Sequence, residues 1–515
     1  MRFTNDKMEP KTISPPDAEL KGLASAIGSV IGSVRASVGM KIRRTYLNLM
    51  TSFNNNEFDS ADKNLFLCFE EQIDKTCNLF RDLLLEGSGK LFSGLDTHEL
   101  IQIYRKIYLE KYDINLITHR IHKRTIITIK GEVTFERHVL RPRSNYDLRL
   151  LINLTGKKTV TPLDEYLNIN NLPFKITPKA MLKIAYCSAS ELSYNSAANR
   201  LREDNILISD ETARQVTNYI GSLVYNYDND KAEDIFINRH KLNFSNDKDD
   251  IIYIIPDGSM IHARDKDEQG CRWHENKLGV VFSSDNMHLV GTNNGIKKYK
   301  INKKEYVNFF GSVTQFQKML FATAINNGYG RFKKTVLISD GADWISNMKD
   351  FLFPDAIHIL DFWHVTEYIY ELAKIFYNND HTKYNPWVDK IKKDLLNSKY
   401  NSVIDEILDK EKFITTKKIL HSNKDINKNN FSKCSNYLMS NIDKIDYKSY
   451  REQKLYIGSG HIESGNKSVA QERLKRPGMM WNIQSAQNLL TLRAKLKSDL
   501  WYMVESIVLK HLQMI

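Results

Sequence analysis

Three carboxylates stand at positions where the sequence could use them for chemistry. Asp257 follows the apolar run 251–255 within Pro-Asp-Gly, and Asp340 follows the apolar run 335–338 within Ser-Asp-Gly. Both runs predict buried strands, and open α/β sheets bind ligands at the carboxyl ends of such strands. Glu463 follows a Gly-Ser-Gly-His-Ile stretch and is predicted to lie in the first turn of a helix. Because Asp-Gly is also a frequent turn, the two matched strand ends together, and neither alone, indicate a site.

Carboxylates in this arrangement suit phosphodiester chemistry. Two hard divalent ions about 3.5–4 Å apart can activate a nucleophile and stabilise a leaving oxyanion on opposite sides of one phosphorus. Mg²⁺ prefers oxygen ligands and keeps some water, so three carboxylates suffice to hold two such ions, with Mn²⁺ as a substitute. Glu463 also has a simpler interpretation as the partner of Lys467 in an exposed ion pair. Other acids remain alternatives for the aspartates: Asp265, Asp267, Glu268, Asp343 and Asp355.

A further candidate element is the sequence Leu-Asp-Phe-Trp-His that ends at His364. Asp361 could simply cap the helix that begins there, since Asp is favoured immediately before the first helical turn. Asp361 and His364 could instead lie beside the carboxylates, as an orienting pair or as DNA contacts. Both interpretations stay open at the level of sequence.

The charge balance favours a polyanionic partner. Lys and Arg total 74 against 62 Asp and Glu, which gives a formal net charge of +12 and a pI near 9.1. Nucleic acid and an acidic membrane surface both fit this excess. Basic residues are dense after Glu463, and five of them are candidate DNA contacts: Lys467, Arg473, Lys475, Arg476 and Arg493.

Residues 193–219 resemble a helix-turn-helix. Ser193 and Ser209 can each cap a helix, and residues 204–208 would form the short turn between the two helices. A plain packing element is the alternative to a DNA contact. The second helix would present three side chains suited to phosphates and base edges: Arg214, Gln215 and Asn218.

The elements that must position these residues predict an α/β, RNase H-like catalytic core with an all-helical insertion. Strands are predicted at 251–255 and 278–283, a more polar third strand within 288–301, and further strands at 335–338 and 356–360. A mainly helical N-terminal region with a β-hairpin turning at Gly131 is predicted to precede the core. The predicted segments are a flexible arm (1–20), a helical N-terminal region (21–120), a β-hairpin region (121–160), the helix-turn-helix-like region (161–225), a linker (226–250), the first part of the core (251–364), the helical insertion (365–456) and the C-terminal core helices carrying the candidate Glu (457–515).

Composition excludes several classes of protein. A chain of 515 residues is too long for one hydrophobic core, and 42% hydrophobic with 26% charged residues excludes a collagenous or largely disordered chain. Five scattered cysteines without a Cys-x-x-Cys pair indicate neither a disulfide framework nor a zinc ribbon. No stretch has the apolar density of a membrane span or signal peptide, so we expect a cytoplasmic, nucleoid-associated protein without a membrane partner.

Taken together, the motifs resemble those of bacterial insertion-sequence transposases with a DDE-type catalytic domain of the RNase H-like superfamily, in particular the ISKra and ISLre groups. The Asp-x-x-His element is similar to one in Mutator-type and hAT-type transposases. The resemblance covers about residues 124–497. It is carried by Pro256-Asp-Gly258, Ser339-Asp-Gly-Ala-Asp-Trp-Ile345, Leu360-Asp-Phe-Trp-His364, Gly458-Ser-Gly-His-Ile-Glu463 and Arg473-Leu-Lys-Arg-Pro-Gly-Met-Met-Trp481, with Leu492-Arg493 after them.

The resemblance implies that Asp257, Asp340 and Glu463 are the metal-binding triad, separated by 83 and 123 residues with the helical insertion between the last two. It further implies Mg²⁺-dependent cleavage at transposon ends, followed by attack of the freed 3′-hydroxyl on target DNA. The N-terminal half would recognise terminal inverted repeats in double-stranded DNA. Two DNA ends must be held at once, which implies a homodimer or a larger synaptic assembly.

Relatives with this pattern often carry cysteines near the hairpin, whereas residues 124–145 contain none, which argues against a metal-stabilised N-terminal module. Two alternatives to the transposase remain. One is a catalytically inactive or domesticated DNA-binding protein derived from a transposase. The other is an RNase H-like nuclease acting on RNA or hybrids.

Overall fold

The computed structural model describes residues 31–44, 47, 65–242, 244–267, 270–293, 296–416 and 435–514. The arm expected at 1–20 lies outside the described residues. The chain forms two compact units. The first contains the described residues up to Cys187, together with Tyr194–Val216 and the segment from Val508, and the second contains Ser188–Ser193 and Thr217–Ile507.

Helices surround a long hairpin in the first unit. Strands β1 (Leu116–Thr128) and β2 (Gly131–Pro142) pair in antiparallel fashion up to Thr128 opposite Gly131, which confirms the predicted turn. A helix at 31–44 comes before these elements. The other helices of this part of the chain are α1 (Leu65–Leu95), α2 (His98–Tyr112), α3 (Asn145–Thr155), α4 (Pro162–Tyr166), α5 (Pro178–Ser190), α6 (Tyr194–Glu203) and α7 (Asp210–Ile237).

A buried ion network stabilises the core of the first unit. Asp164 is fully buried, and its Oδ2 accepts hydrogen bonds from Arg124 Nη1 at 2.6 Å and from Arg137 Nε at 2.7 Å. The two arginines project from β1 and β2, so the acid on α4 joins both strands of the hairpin. Apolar side chains such as Tyr104 and Phe135 fill the remaining space around this network.

The linker expected at 226–250 is wrong over its first half, because α7 continues through it to Ile237. The stretch is polar in composition, but Ala232 is buried in the hydrophobic core of the second unit, and Tyr225, Ile235 and Phe236 pack against that core. These positions recur at helical spacing, so one face of the polar helix is apolar.

The second unit contains the strands β3 (Lys248–His262), β4 (Trp273–Ser283), β5 (Met287–Asn293), β6 (Ile296–Ile301), β7 (Glu305–Phe310), β8 (Phe332–Ser339) and β9 (Ile357–Leu360). Five of them form one sheet in the order β7-β4-β3-β8-β9. Strand β3 pairs with β4, and β4 with β7, in antiparallel fashion, whereas β3, β8 and β9 run parallel.

The expected polar strand within 288–301 is confirmed as a strand, but its place as the third strand of the main sheet is wrong. Strands β5 and β6 occupy that region, but they pair only with each other, in a separate two-stranded sheet. The third strand of the main sheet is β7, where Tyr306, Val307 and Phe310 are buried. The lysine-rich β6 has too few apolar side chains to fill a place between two layers of the core.

All regular structure described between 365 and 456 is helical, as predicted for the insertion. The helices described after β7 are α8 (Val313–Asn326), α9 (Asp343–Leu352), α10 (Phe362–Phe376), α11 (His381–Leu396), α12 (Tyr400–Thr416), a short helix at 435–440, α13 (Tyr447–Glu452), α14 (Gly460–Gly465), α15 (Glu472–Leu474), α16 (Ile483–Lys497) and α17 (Trp501–Met514), of which α17 belongs to the second unit up to Ile507. A π-helical segment, Asn466–Gln471, joins α14 to α15.

Candidate carboxylate site

Strand register places three aspartates at corresponding positions of neighbouring parallel strands. Ile254 of β3 pairs with Leu337 of β8, and Asp257 and Asp340 each come three residues after that pair. Ser339 pairs with Leu360 of β9, and Asp340 and Asp361 each come one residue later. Neighbouring strands lie about 4.8 Å apart, so the three residues form a row across β3, β8 and β9, just beyond the last pairs of the parallel strands. Asp340 and Asp361 directly follow the ends of their strands, whereas β3 continues past Asp257 to His262, so the strand end predicted at 255 is wrong.

Asp257 is half-buried, and its carboxylate is held by two donors. Oδ1 accepts a 2.7 Å hydrogen bond from the backbone N–H of Gly258, and Oδ2 accepts a 2.5 Å hydrogen bond from Asn466 Nδ2. Burial, with a smaller contribution from the charge of Asp340, raises the pKa of Asp257 to about 6, against the opposing effects of these donors and of His364. A carboxylate whose ionisation is disfavoured by a neighbouring negative charge is a place where a cation is stabilised.

Asp340 is half-buried at a turn that only glycine allows. Its Oδ1 accepts a 3.0 Å hydrogen bond from the backbone N–H of Ala342, and its carbonyl accepts one of 2.7 Å from the hydroxyl of Tyr437. Gly341 has φ +85°, and a Cβ there would lie 2.8 Å from the side chain of Leu360. The Asp-Gly pair predicted from the sequence is therefore needed for both backbone conformation and space.

Asp361 is only 1% exposed and has two roles. It caps α10, since its carboxylate accepts hydrogen bonds of 3.1 Å from the backbone N–H groups of Trp363 and His364. It also accepts bonds from the backbone N–H of Ser459 at 2.9 Å and from the hydroxyl of Ser459 at 2.6 Å. Burial raises the pKa of Asp361, the Ser459 bonds lower it, and the charge of Glu463 raises it. Asp361 thus serves as a cap and also fixes the start of α14.

Glu463 lies in the first turn of α14, as predicted, and is exposed. Its Oε1 is 3.1 Å from the hydroxyl of Ser459, the same hydroxyl that contacts Asp361. No ion pair with Lys467 occurs among the described residues, so the simple interpretation of Glu463 as an exposed ion pair is wrong in this conformation. The carboxylate is instead linked through Ser459 to the buried acid at the end of β9.

His364 lies near this edge, in the first turn of α10. Its Nδ1 is 3.6 Å from Glu367 Oε2, and its ring lies edge-on to Tyr368 and Tyr437. Its influence on the pKa of Asp257 is the weakest of those acting there. The structure therefore brings His364 to the neighbourhood of the site through aromatic packing.

Sequence reasoning does not single out Asn466, which the structure places in the site. The side chain is 3% exposed; its Nδ2 binds Asp257, and its Oδ1 is buried with no hydrogen-bond partner. Asn466 begins the π-helical segment, a helix form that is frequent at functional sites. The only signal in the sequence is its position three residues after Glu463, on the same helical face.

The donor set fits a hard cation only in part. Within the described ranges, no group of three His, Cys, Asp or Glu side chains is arranged so that it could hold a metal ion. Mg²⁺ is commonly bound by one or two carboxylates together with water and substrate phosphates. One or two carboxylates from Asp257 and Asp340, with the unpartnered oxygen of Asn466 nearby, fit this kind of Mg²⁺ site. Glu463 contacts Ser459 and is not part of such a set in this conformation.

Three of the predicted DNA contacts have side chains that are buried or half-buried in the protein, which disfavours them as DNA contacts. Arg473 and Arg493 are 1% and 2% exposed. The guanidinium of Arg493 donates to the backbone carbonyls of Ser468, Val469 and Ala189. The side chain of Asn218 donates a 3.1 Å hydrogen bond to the hydroxyl of Ser485, and Asn218 is half-buried.

The remaining predicted contacts are at the surface. Lys467, Lys475 and Arg476 are exposed in the segment after Glu463. In the first turns of α7, the guanidinium of Arg214 donates to both carboxylate oxygens of Glu211, and Gln215 donates to the same carboxylate. The start of the predicted recognition helix therefore has little free positive charge. No described helix is long and apolar enough to cross a membrane.

By architecture, the second unit belongs to the class of α/β proteins with a mixed parallel and antiparallel sheet, here with a row of aspartates across three of its strands. The sequence model of the family described as "Uncharacterised protein family (UPF0236)" matches residues 75–505, and the chain belongs to this family. A relative from Streptococcus gallolyticus, the "UPF0236 protein in vanSb 3'region", is 22% identical over 431 residues, which are 82% of each chain.

Proposed function

We propose that this chain is a metal-dependent DNA transposase with an RNase H-like core, in which Asp257, Asp340 and Glu463 are the catalytic acids. The observation that carries the proposal is the strand register, which aligns Asp257 with Asp340 on neighbouring parallel strands. The sheet order supports it as well, because three antiparallel strands are followed by two parallel strands alternating with helices. Hydrophobic patterning predicted three strands followed by alternating strands and helices, although the third strand of the sheet is β7 and not a segment within 288–301.

In this proposal Asp257 and Asp340 hold Mg²⁺ together with phosphate oxygens of the DNA, and Glu463 joins them when DNA is bound. The ions, when bound, supply Lewis-acid stabilisation of charge at the reacting phosphate. Asn466 holds the carboxylate of Asp257 in place. Ser459 and Asp361 fix the turn from which Glu463 projects, and Glu463 exchanges its bond to Ser459 for a place beside the other acids.

A second candidate is a DNA-binding protein of the same origin that has no catalytic activity. The observation that favours it is the position of Glu463 on Ser459, apart from any three-membered group that could hold a cation among the described residues. The two candidates make opposite predictions for cleavage and the same prediction for DNA binding.

The deciding experiment incubates the purified chain with linear duplex DNA that carries the gene's own flanking sequences, with Mg²⁺ or with EDTA. Transposase activity predicts Mg²⁺-dependent cuts at fixed positions and joining of the new 3′ ends to a plasmid target. Asp257→Asn, Asp340→Asn and Glu463→Gln are each expected to abolish cutting and to leave DNA binding intact. Asp343→Asn is the matched control, because Asp343 is an exposed acid three residues after Asp340. If all three acid variants cut as the wild type does, the proposal is wrong.

A further inference from the structure

The hairpin of the first unit has an exposed basic segment. Thr118–Lys123, six consecutive residues of β1, are all exposed, although strand residues normally alternate between a buried and a solvent face. Arg120 and Lys123 carry positive charge there, and His119 and His122 each directly precede one of them. The whole of β1 contains no acidic residue.

The partner strand extends this positive surface. Thr118 pairs with Leu140 of β2, and Arg141 and Arg143, both exposed, follow directly after it. The carboxylate of Glu136 lies 3.8 Å from Lys123 Nζ, with both side chains exposed, and Glu132, Asp82 and Glu86 line the same open cavity as Lys123. Such an exposed pair contributes at most about 1 kcal/mol, so Lys123 can exchange it for another anion.

The rest of the hairpin is firmly anchored. The backbone of Ile127 is hydrogen-bonded to Lys175 and Thr177, and that of Leu140 to Val160. The arginines that bind the buried Asp164 also lie in the hairpin, so their charge is compensated internally. The register shifts between Thr118 and Arg120, and a bulge of this kind increases strand twist and redirects side chains. The exposed segment is thus one strand of a two-stranded ribbon on a rigid base, because Val139 and Leu140, which pair with it from β2, are buried.

The ribbon differs from the predicted recognition helix in its free charge. At the start of α7, Glu211 takes both bonds that Arg214 offers, and a hydrogen bond from Arg214 lowers the pKa of Glu211 to about 2. Asp210 adds a further negative charge in the same turn. On the ribbon, a polyanion meets Arg120 and a Lys123 that has only a long, exposed contact with Glu136, whereas on the helix Arg214 is held by two hydrogen bonds to Glu211.

We propose that the exposed segment Thr118–Lys123 of β1 binds duplex DNA, with Arg120 and Lys123 contacting the phosphates. The inference deepens the proposed function, since it assigns the surface that holds the DNA ends. Contacts from Lys and Arg side chains to phosphates position a protein on a duplex and supply most of its salt-dependent affinity.

The test measures binding of the full chain to fluorescein-labelled duplex DNA by anisotropy across a series of NaCl concentrations. The probes are one duplex with the gene's flanking sequence and one of unrelated sequence. The double variant Arg120→Ala/Lys123→Ala is expected to weaken binding at least about tenfold and to reduce the salt dependence by about two phosphate contacts. Lys130→Ala is the matched control, since Lys130 is an exposed lysine at the other end of the same hairpin, and it is expected to bind as the wild type does.

Three outcomes overturn the inference. In the first, the double variant binds with wild-type affinity and salt dependence. In the second, Lys130→Ala loses as much affinity as the double variant. In the third, the wild-type chain binds neither duplex. Wild-type binding to anionic phospholipid vesicles in place of DNA belongs with the third outcome and identifies a membrane surface as the partner. Catalysis is judged separately by the acid variants, which leave the ribbon intact. Unchanged thermal unfolding of the double variant is expected because both side chains are exposed.

Discussion

Asn466 Nδ2 donates a 2.5 Å hydrogen bond to Oδ2 of Asp257, although the two residues are 209 positions apart in the sequence. The bond ties the helical segment after Glu463 to the strand that carries the first aspartate. Because Asn466 is buried, its orientation is fixed by its surroundings, and its free Oδ1 lies in the same protected space. The bond is therefore a direct structural link between the two ends of the proposed catalytic site.

Replacement of Asn466 by alanine is expected to lower cleavage about 10–100-fold, the usual cost of losing a residue that orients a metal ligand. Asp257 loses a donor, so its carboxylate is less well placed and its pKa rises further. Asn466→Asp is expected to be worse, because it puts a negative charge against Asp257. Initial cleavage rates with Mg²⁺ provide the measurement, and wild-type rates for both variants would show that the hydrogen bond has no part in catalysis.

Replacement of Ser459 by alanine is expected to affect stability and cleavage together. The hydroxyl contacts two carboxylates, and its removal leaves the buried Asp361 with one donor fewer, at a cost of about 1–3 kcal/mol in the free energy of unfolding. Ser464→Ala is the control, as Ser464 is exposed in the same helix. Urea unfolding and the cleavage rate are measured for both variants, and equal behaviour of the two would contradict the assigned role.

Substitution of Asp164 is expected to lower the stability of the first unit strongly, because this buried acid binds two arginines. Asp164→Asn leaves Arg124 and Arg137 without a charged partner in a buried position, and breaking such a pair costs about 3–5 kcal/mol. Glu136→Gln removes only the exposed contact with Lys123 and is expected to cost under about 1 kcal/mol. Chemical denaturation of the two variants tests this ranking, which fails if Asp164→Asn is the milder change.

Glu165 predicts a pH dependence of stability. Burial raises its pKa to about 7 from an ordinary value of 4.5. Between these values the unfolded chain has released the proton while the folded chain still binds it, so the contribution of Glu165 to stability falls as pH rises from about 4.5 to 7. Glu165→Gln does not titrate, so its stability relative to the wild type is expected to increase across that window. Denaturant midpoints at pH 5, 6, 7 and 8 measure the difference, and a constant difference would contradict the assignment.

The sequence was sufficient to place Asp257 and Asp340 on neighbouring strands, because each follows an apolar run typical of a buried strand. The strand end was predicted correctly for Asp340, but β3 continues through Asp257 to His262, where its pairing with β4 carries it on. The sequence was insufficient for the third strand of the sheet. The β7 sequence mixes Glu305 and Asn308 with apolar residues, and β6 of the β5–β6 hairpin mixes lysines with apolar residues in a similar way. Which of these segments joins the main sheet is decided by pairing with β4, a contact that local patterning does not specify.

Long-range contacts also explain the errors among the predicted DNA-binding residues. An arginine in a basic segment looks the same whether it faces solvent or, like Arg493, binds three backbone carbonyls in the interior. Asn466 was missed for the same reason, since its role depends on a strand more than two hundred residues away. Capping was easier to predict for Asp361, because the groups that it caps lie within three residues of it.

The most direct test of the account replaces Asp340 with cysteine and measures cleavage of the flanking duplex in Mg²⁺ and in Mn²⁺. Mg²⁺ requires hard oxygen ligands and accepts a thiolate poorly, whereas Mn²⁺ tolerates sulfur better. We expect Asp340→Cys to be inactive with Mg²⁺ and to regain part of its cleavage with Mn²⁺, while Asp343→Cys cuts with either ion. Cleavage by Asp340→Cys at the wild-type rate in Mg²⁺ would contradict the claim that this carboxylate holds the metal.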